Sequence, residues 1–74
     1  MEKRMNDRWE IIGAIKTDEV DGHIFEVVMG YRKTRFGDEY VTWECTDYKN
    51  YYWGHYYDSR ENALEDLYVR AKRG

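Results

Sequence analysis

Residues 39–57 read EYVTWECTDYKNYYWGHYY and have the pattern of two β-strands joined by a tight turn. Residues 39–46 alternate between apolar and polar side chains, which places the two kinds on opposite faces of a strand. Residues 47–50 turn the chain, and loops of two or four residues there give the same register. The segment therefore predicts a hairpin of strands 39–46 and 51–57.

A glycine supports this register, because a tryptophan opposite a glycine fills the space that the missing side chain leaves. The predicted facing pairs are Thr46 with Tyr51, Trp43 with Gly54, and Val41 with Tyr56. One face of the hairpin then carries Val41, Trp43, Cys45, Tyr52 and Tyr56. The other face carries Tyr40, Thr42, Glu44, Tyr51, Trp53, His55 and Tyr57.

Two further strands are predicted upstream of this hairpin. Residues 8–16 are apolar and β-branched enough for a strand, and residues 23–31 place Phe25, Val27 and Met29 on one face. The Asp21 and Gly22 pair between them is a strong hairpin signal. Residues 33–38 are polar, contain a glycine and predict the second turn. Residues 8–57 thus predict a four-stranded antiparallel meander, after a flexible lead-in of residues 1–7.

After Tyr57 the apolar spacing becomes helical and predicts a helix over residues 58–73. Asp58 can cap its first turn in a capping box with Glu61, and Ser59 is the alternative cap. The predicted fold is one α+β domain over residues 1–74, a ββββα arrangement. Its helix is expected to cover the face of Val41, Trp43 and Cys45, together with Ile12, Phe25, Val27 and Met29.

Composition excludes several classes of protein. Cys45 is the only cysteine among the 74 residues, so an intrachain disulfide is impossible. The cysteine and the two histidines lack the paired spacing of a zinc site, and the sequence predicts no metal and no cofactor. No run approaches the ~20 apolar residues that span a bilayer, and no signal peptide is apparent. The expected location is the cytoplasm, without membrane contact.

No catalytic constellation is apparent, and the sequence predicts a protein that is not an enzyme. Cys45 and His55 are expected on opposite faces of the hairpin, where they cannot meet as nucleophile and base. Glu44 and His55 share a face and can interact diagonally, either as an acid/base pair or as surface charges. Glycine-rich phosphate loops and nucleophile elbows are absent from the sequence.

The aromatic content, 18% of the residues, predicts binding through a sheet face. One predicted face lacks a cover, and exposed aromatic patches commonly mark interaction sites. The alternative is that the N-terminal segment or a second copy of the chain covers it. The predicted partner-binding residues are Tyr40, Glu44, Tyr51, Trp53, His55 and Tyr57. An acidic loop with Asp18, Glu19 and Asp21 is expected to add electrostatic complementarity to a basic partner.

Residues 41–46, VTWECT, and 51–67, YYWGHYYDSRENALEDL, resemble short uncharacterised bacterial proteins often carried by phages and other mobile elements. The resemblance covers residues 41–67 and brings no catalytic residues with it. It implies a bacterial cytoplasmic setting. It also implies a protein that acts by blocking a host enzyme or a defence effector, such as a CRISPR nuclease.

Three functions are therefore expected, in order of preference. The first is a non-catalytic protein-binding module, an inhibitor of a basic nucleic-acid-processing enzyme. The second is single-stranded nucleic-acid binding, in which sheet aromatics stack on bases and basic residues meet phosphates. Its basic residues are Arg32, Lys33, Arg35, Arg70, Lys72 and Arg73. The formal net charge of −3 disfavours this second function. The third is a structural homodimer.

Overall fold

The computed structural model describes residues 3–73, which form a curled antiparallel sheet and one C-terminal helix. The elements in chain order are β1 (Met5–Asn6), β2 (Trp9–Val20), β3 (His23–Thr34), β4 (Gly37–Thr46), β5 (Asn50–Tyr57) and α1 (Arg60–Arg73). The strands lie in the sheet in the same order as in the chain. The predicted α+β class, antiparallel sheet and C-terminal helix are confirmed.

The predicted number of four strands is wrong, because a short fifth strand precedes the others. Met5 and Asn6 pair with Glu10 and Trp9 across a two-residue turn. Asp7 makes this turn possible with a φ of 55°, in the left-handed region that aspartate tolerates better than most residues. The predicted flexible lead-in of residues 1–7 extends outside the described residues, which begin at residue 3.

The turn between β2 and β3 forms as predicted. Val20 pairs with His23, which leaves Asp21 and Gly22 as a two-residue loop. Both loop residues have positive φ, 51° and 81°, as in the tight turns that match the twist of a hairpin. The next loop is also two residues long, because Thr34 pairs with Gly37.

Both faces of the sheet are apolar, and each carries its own core. The face under α1, called the helix face here, buries Val27, Met29, Ala63 and Leu67. The opposite face, called the tryptophan face, buries Trp9, Val28, Val41, Trp43 and Cys45. β3 supplies both cores, which is why its residues from Glu26 to Gly30 are buried without interruption.

The predicted position of the helix over Val41, Trp43 and Cys45 is wrong, because these residues lie on the tryptophan face. The two-residue loop between β3 and β4 pairs Val27 with Glu44 and Val28 with Trp43. Paired residues share a face, so Val27 cannot share one with Trp43. Of the other residues expected under the helix, Ile12 and Phe25 are exposed.

The register of β4 and β5 agrees with the prediction at the open end of the hairpin and differs from it near the turn. Val41 pairs with Tyr56 as expected, but Thr46 pairs with Asn50 because a bulge interrupts the ladder between Thr42 and Glu44. Trp43 nevertheless lies against Gly54, where an added Cβ would be 2.9 Å from the indole nitrogen. The bulge exchanges the faces of two tyrosines. Tyr51 pairs with Cys45 and lies on the tryptophan face, whereas Tyr52 pairs with Glu44.

The helix begins at Arg60, and its alternative predicted cap is the one that forms: the Asn62 amide donates to Ser59 Oγ over 3.4 Å. Ala63 and Leu67 then face the sheet, and Leu67 approaches Gly13 of β2. Within residues 3–73, this helix is too short and too polar to cross a membrane.

Candidate functional site

The helix leaves part of its own sheet face uncovered. Beside its last turn lies an open groove of about 390 Å³, called the groove here. Its apolar walls come from Val20, Phe25, Val27, Tyr52 and Trp53. Val20, Phe25, Tyr52 and Trp53 are all exposed, although they are large apolar or aromatic residues. A contiguous exposed apolar patch of this kind commonly marks an interaction site.

Trp53 is the most exposed wall of the groove, with 72% of its surface open to solvent. Its φ is 52°, in the left-handed region that bulky residues rarely adopt. The residue sits at the bulge of β5, which is an edge strand of the sheet. Bulges redirect side chains and are frequent beside functional sites. The strained backbone thus holds a large aromatic side chain at the groove, beside the Tyr52 ring at 6.1 Å.

The floor of the groove is a buried arginine of the helix. Arg70 donates from Nη1 to the carbonyl and hydroxyl oxygens of Thr42, over 3.1 and 3.0 Å. Its Nη2 donates to Glu44 Oε2 over 3.1 Å. The Arg70 side chain is 8% exposed and its bonds to Thr42 are buried, whereas the Glu44 side chain is 48% exposed; together the three bonds fix the last turn of the helix to β4.

A second polar cluster ties the middle of the helix to β4 and β5. Asp66 Oδ2 accepts the Thr42 hydroxyl over 2.6 Å and lies 2.9 Å from His55 Nδ1. Burial raises the pKa of Asp66, but hydrogen bonds from Thr42, His55 and Tyr57 outweigh it and lower that pKa below its ordinary value. Burial and the bond to Asp66 both raise the pKa of Tyr57. Asp66 is therefore a charged carboxylate at neutral pH.

This cluster does not assemble a nucleophile and a base. The carboxylate that meets His55 is Asp66, while Glu44 pairs with Arg70 instead. Cys45 lies on the tryptophan face, opposite His55, as the sequence predicts. Burial raises the pKa of the Cys45 thiol, which disfavours the reactive thiolate. The contact with Asp66 instead orients the His55 imidazole beside Trp53, in the depression that the two residues line.

The six predicted partner-binding residues do not share one open face. Glu44, Trp53 and His55 line one shallow depression that adjoins the groove. Tyr40 and Tyr57 pack half-buried against the core beneath the helix, because the helix covers the opposite face from the one expected. Tyr51 lies on the tryptophan face as a consequence of the bulge.

The predicted acidic loop is divided among different roles. Glu19 forms an ion pair with Lys16 at 2.6 Å, and Asp21 lies in the tight turn. Asp18 lines the groove and accepts the Glu19 amide over 2.8 Å. Among residues 3–73, no ion pair of Asp18 is found, so its charge is available at the rim.

Sequence reasoning missed Val20, Phe25 and Tyr52 as groove residues. One signal for them lies in element lengths, because a strand of 12 residues such as β3 extends about 40 Å. The 14-residue helix is only about 21 Å long. A single helix therefore cannot cover this sheet, and apolar side chains near one end of the strands stay open.

No family model, curated protein or solved structure matches this chain. The resemblance of residues 41–67 to small proteins of mobile elements accordingly stays a prediction.

Proposed function

We propose that this protein is a non-catalytic binding module that takes an apolar side chain of a partner protein into the groove, against Trp53. The exposure of Trp53 at a backbone position of φ 52° carries this proposal. Strained positions persist only where the surrounding structure holds them, and they cluster at functional sites. A tryptophan with 72% of its surface in water adds little to the core that would offset this strain.

The proposed partner offers an apolar anchor beside a basic group. The walls of the groove are apolar, and its volume lies at the small end of the range of about 300–1,000 Å³ for ligand pockets. The charge of Glu44 is compensated by Arg70, whereas Asp18 at the rim has no ion pair within residues 3–73. A lysine or arginine next to the anchor would meet Asp18, and tryptophan is among the residues enriched at the hot spots of such interfaces.

Nucleic-acid binding is less well supported by the positions of the basic residues. Arg70 is buried in its bonds to Thr42 and Glu44, and Arg32 pairs with Glu39 at 2.8 Å. Arg32 and Arg35 line a different depression around the turn between β3 and β4, away from Trp53. Arg73 does line the depression beside Trp53, but it shares that depression with Glu44 and the paired Arg70, so the predicted basic residues do not form the continuous stripe that tracks a phosphate backbone.

The test is an affinity pull-down from bacterial lysate, run with and without nuclease, followed by binding measurements with the purified captured protein. Trp53→Ala is compared with Phe36→Ala, because Phe36 is 93% exposed at the turn between β3 and β4 and does not line the groove. We expect Trp53→Ala to weaken binding by about 30-fold or more, the effect of a hot-spot residue, and Phe36→Ala to leave it unchanged.

Three outcomes would overturn the proposal. Equal binding by both variants would show that Trp53 is not part of the interface. Capture of nucleic acid alone would show that the partner is nucleic acid and not a protein. If size-exclusion light scattering found a dimer for the wild type and a monomer for Trp53→Ala, the groove would be the binding site of a second copy of the chain. That the partner is a nucleic-acid-processing enzyme is a prediction of the resemblance, and the identity of the captured protein tests it.

A further inference from the structure

A buried carboxylate lies on the tryptophan face, opposite the groove. Glu26 is 7% exposed in the middle of β3, between Lys16 of β2 and Cys45 of β4. Lys16 does not neutralise it, because the Lys16 ammonium pairs with Glu19. The partner of Glu26 is instead Arg4, whose Nη2 and Nη1 donate to its two oxygens over 2.8 and 3.4 Å.

Aromatic rings and a thiol complete the surroundings of this guanidinium. The Arg4 Cζ atom lies 5.5 Å from the centroid of the Tyr48 ring and 5.9 Å from that of Tyr51. Its Nη2 also lies 3.4 Å from Cys45 Sγ. The Glu26 carboxylate accepts two N–H bonds from one planar cation, and aromatic rings lie beside that cation. This geometry suits the guanidinium of arginine and not the ammonium of lysine.

The segment that places Arg4 in this site is held by few bonds. Its strand, β1, has two residues, and one further hydrogen bond joins the Arg4 carbonyl to the Ile11 amide over 2.9 Å. Met5 is exposed, so the segment buries little apolar surface. Segments with few buried contacts open at low free-energy cost.

The fit of Arg4 is also incomplete. Its Nε atom is buried without a hydrogen-bond partner within residues 3–73, an unfavourable state for a charged donor. Departure of Arg4 with no replacement would leave Glu26 without its cation, so the site favours exchange of one guanidinium for another. An arginine that enters from outside restores both bonds to Glu26 and is free to place its Nε toward water.

We propose that Glu26, Cys45, Tyr48 and Tyr51 form an arginine-binding site, that Arg4 occupies it in cis, and that an arginine of a partner polypeptide can replace Arg4. The N-terminal segment is then a built-in competitor of that partner. Glu26 and Cys45 also border the groove, but Cys45 belongs to the core of the tryptophan face, and the Glu26 carboxylate meets Arg4 beside it on that face.

The test uses the whole chain with Arg4→Ala and the probe N-acetyl-arginine methylamide, followed by NMR shifts of the Tyr48 and Tyr51 rings. We expect saturable binding to Arg4→Ala with a dissociation constant on the order of 1 mM, and binding to the wild-type chain weaker by about tenfold or more. The matched double variant Arg4→Ala, Glu26→Gln should not bind. The lysine and citrulline methylamides are controls, and both should bind more weakly than the arginine probe.

Binding to Arg4→Ala that is insensitive to Glu26→Gln, or equal for arginine and citrulline probes, would overturn the proposal. So would the absence of saturable binding to folded Arg4→Ala. If Arg4→Ala does not fold by circular dichroism, the probe itself becomes the test. Recovery of the folded signal at millimolar arginine probe, but not with the citrulline probe, supports the site, and failure of both probes refutes it.

Discussion

Arg70 and Arg4 lie on opposite faces of the same sheet, and they are attached to it in different ways. Arg70 belongs to a 14-residue helix that buries Ala63 and Leu67 against the sheet, and it donates three hydrogen bonds to β4. Arg4 belongs to a segment with a two-residue strand, and its Nε has no partner within residues 3–73. One arginine is a permanent part of the structure, whereas the other closes its site reversibly.

The two faces differ in the same way in their cores. The helix face is covered over part of its length by α1, and the remainder forms the groove. Within residues 3–73 no helix covers the tryptophan face, which is filled by its own large side chains, with Trp9 and Trp43 packed edge to face at 5.8 Å. Substitutions of matched residues on the two faces should therefore change stability by different amounts.

The largest contrast is expected between two tryptophans ten residues apart. Trp43 is 6% exposed and packs against Trp9 and Tyr51, so Trp43→Ala should lower the free energy of unfolding by about 3–5 kcal/mol. Trp53→Ala should lower it by less than about 1 kcal/mol, because that side chain is already in water. Urea unfolding followed by circular dichroism measures both, and similar losses for the two variants would contradict the assigned faces.

The next contrast is between two glycines. A Cβ at Gly30 would lie 2.8 Å from Trp43 Cζ3 and 3.0 Å from Val41 Cγ1 on the crowded tryptophan face. Gly30→Ala should therefore cost about 1–3 kcal/mol through overpacking. At Gly13 the nearest atom would be Leu67 Cδ2 at 3.7 Å, an ordinary contact, so Gly13→Ala should change stability by less than about 0.5 kcal/mol. Thermal unfolding of the pair checks this order, and a reversed order would refute it.

A smaller effect is expected from the polar cluster on the helix face. Asp66→Asn keeps the shape but removes the charge that accepts the Thr42 and His55 bonds, and it should cost about 1–2 kcal/mol at neutral pH. His55→Phe removes one of the three donors to Asp66, keeps a planar ring and is the matched control. A loss no larger than that of the control would show that the carboxylate charge is not needed.

The same substitution should change the response to acid. The folded-state pKa of Asp66 lies below its ordinary value of 3.8, so the ionised group stabilises the fold at higher pH. That contribution is lost as the pH falls below about 4, through the lowered pKa. Asp66→Asn should thus be less sensitive to acid than the wild type, as measured by unfolding free energies between about pH 2 and 7. An unchanged pH dependence would contradict the lowered pKa of Asp66.

The smallest effect is expected at Phe36. Its side chain is almost wholly in water at the turn between β3 and β4, so Phe36→Ala should change the unfolding free energy by less than about 0.5 kcal/mol. Calorimetry measures this change. A larger loss would mean that Phe36 packs against the protein, and the variant would no longer serve as a control for Trp53→Ala.

The sequence predicts the elements better than it predicts their faces. Asp21 and Gly22, the alternation in β4 and the helical spacing after Tyr57 are local signals, and the structure contains the elements they indicate. Which face a strand residue lies on depends on whether the preceding loop has an even or an odd number of residues. The predicted turn over residues 33–38 does not specify that number. The actual two-residue loop sets Val28, not Val27, beside Trp43. Since both residues are valines, hydrophobicity could not choose between them.

The candidate site was predictable only in part, because its residues also depend on which face each residue of β5 occupies. The composition of β5 indicates an exposed aromatic, and Trp53 is one. Nothing in the sequence indicates the bulge, because a tryptophan is an improbable residue for positive φ. That one irregularity exchanges Tyr51 and Tyr52 between faces and brings Tyr52 into the groove.

The most direct test of the proposed interface labels all three tryptophans with 5-fluorotryptophan and adds the captured partner protein, followed by fluorine NMR. Trp9 and Trp43 are buried on the tryptophan face, and Trp53 stands at the groove. The prediction is that the Trp53 resonance shifts or broadens on binding while the other two keep their positions. A shift of Trp9 or Trp43 with an unchanged Trp53 would contradict the assignment of the groove as the binding surface.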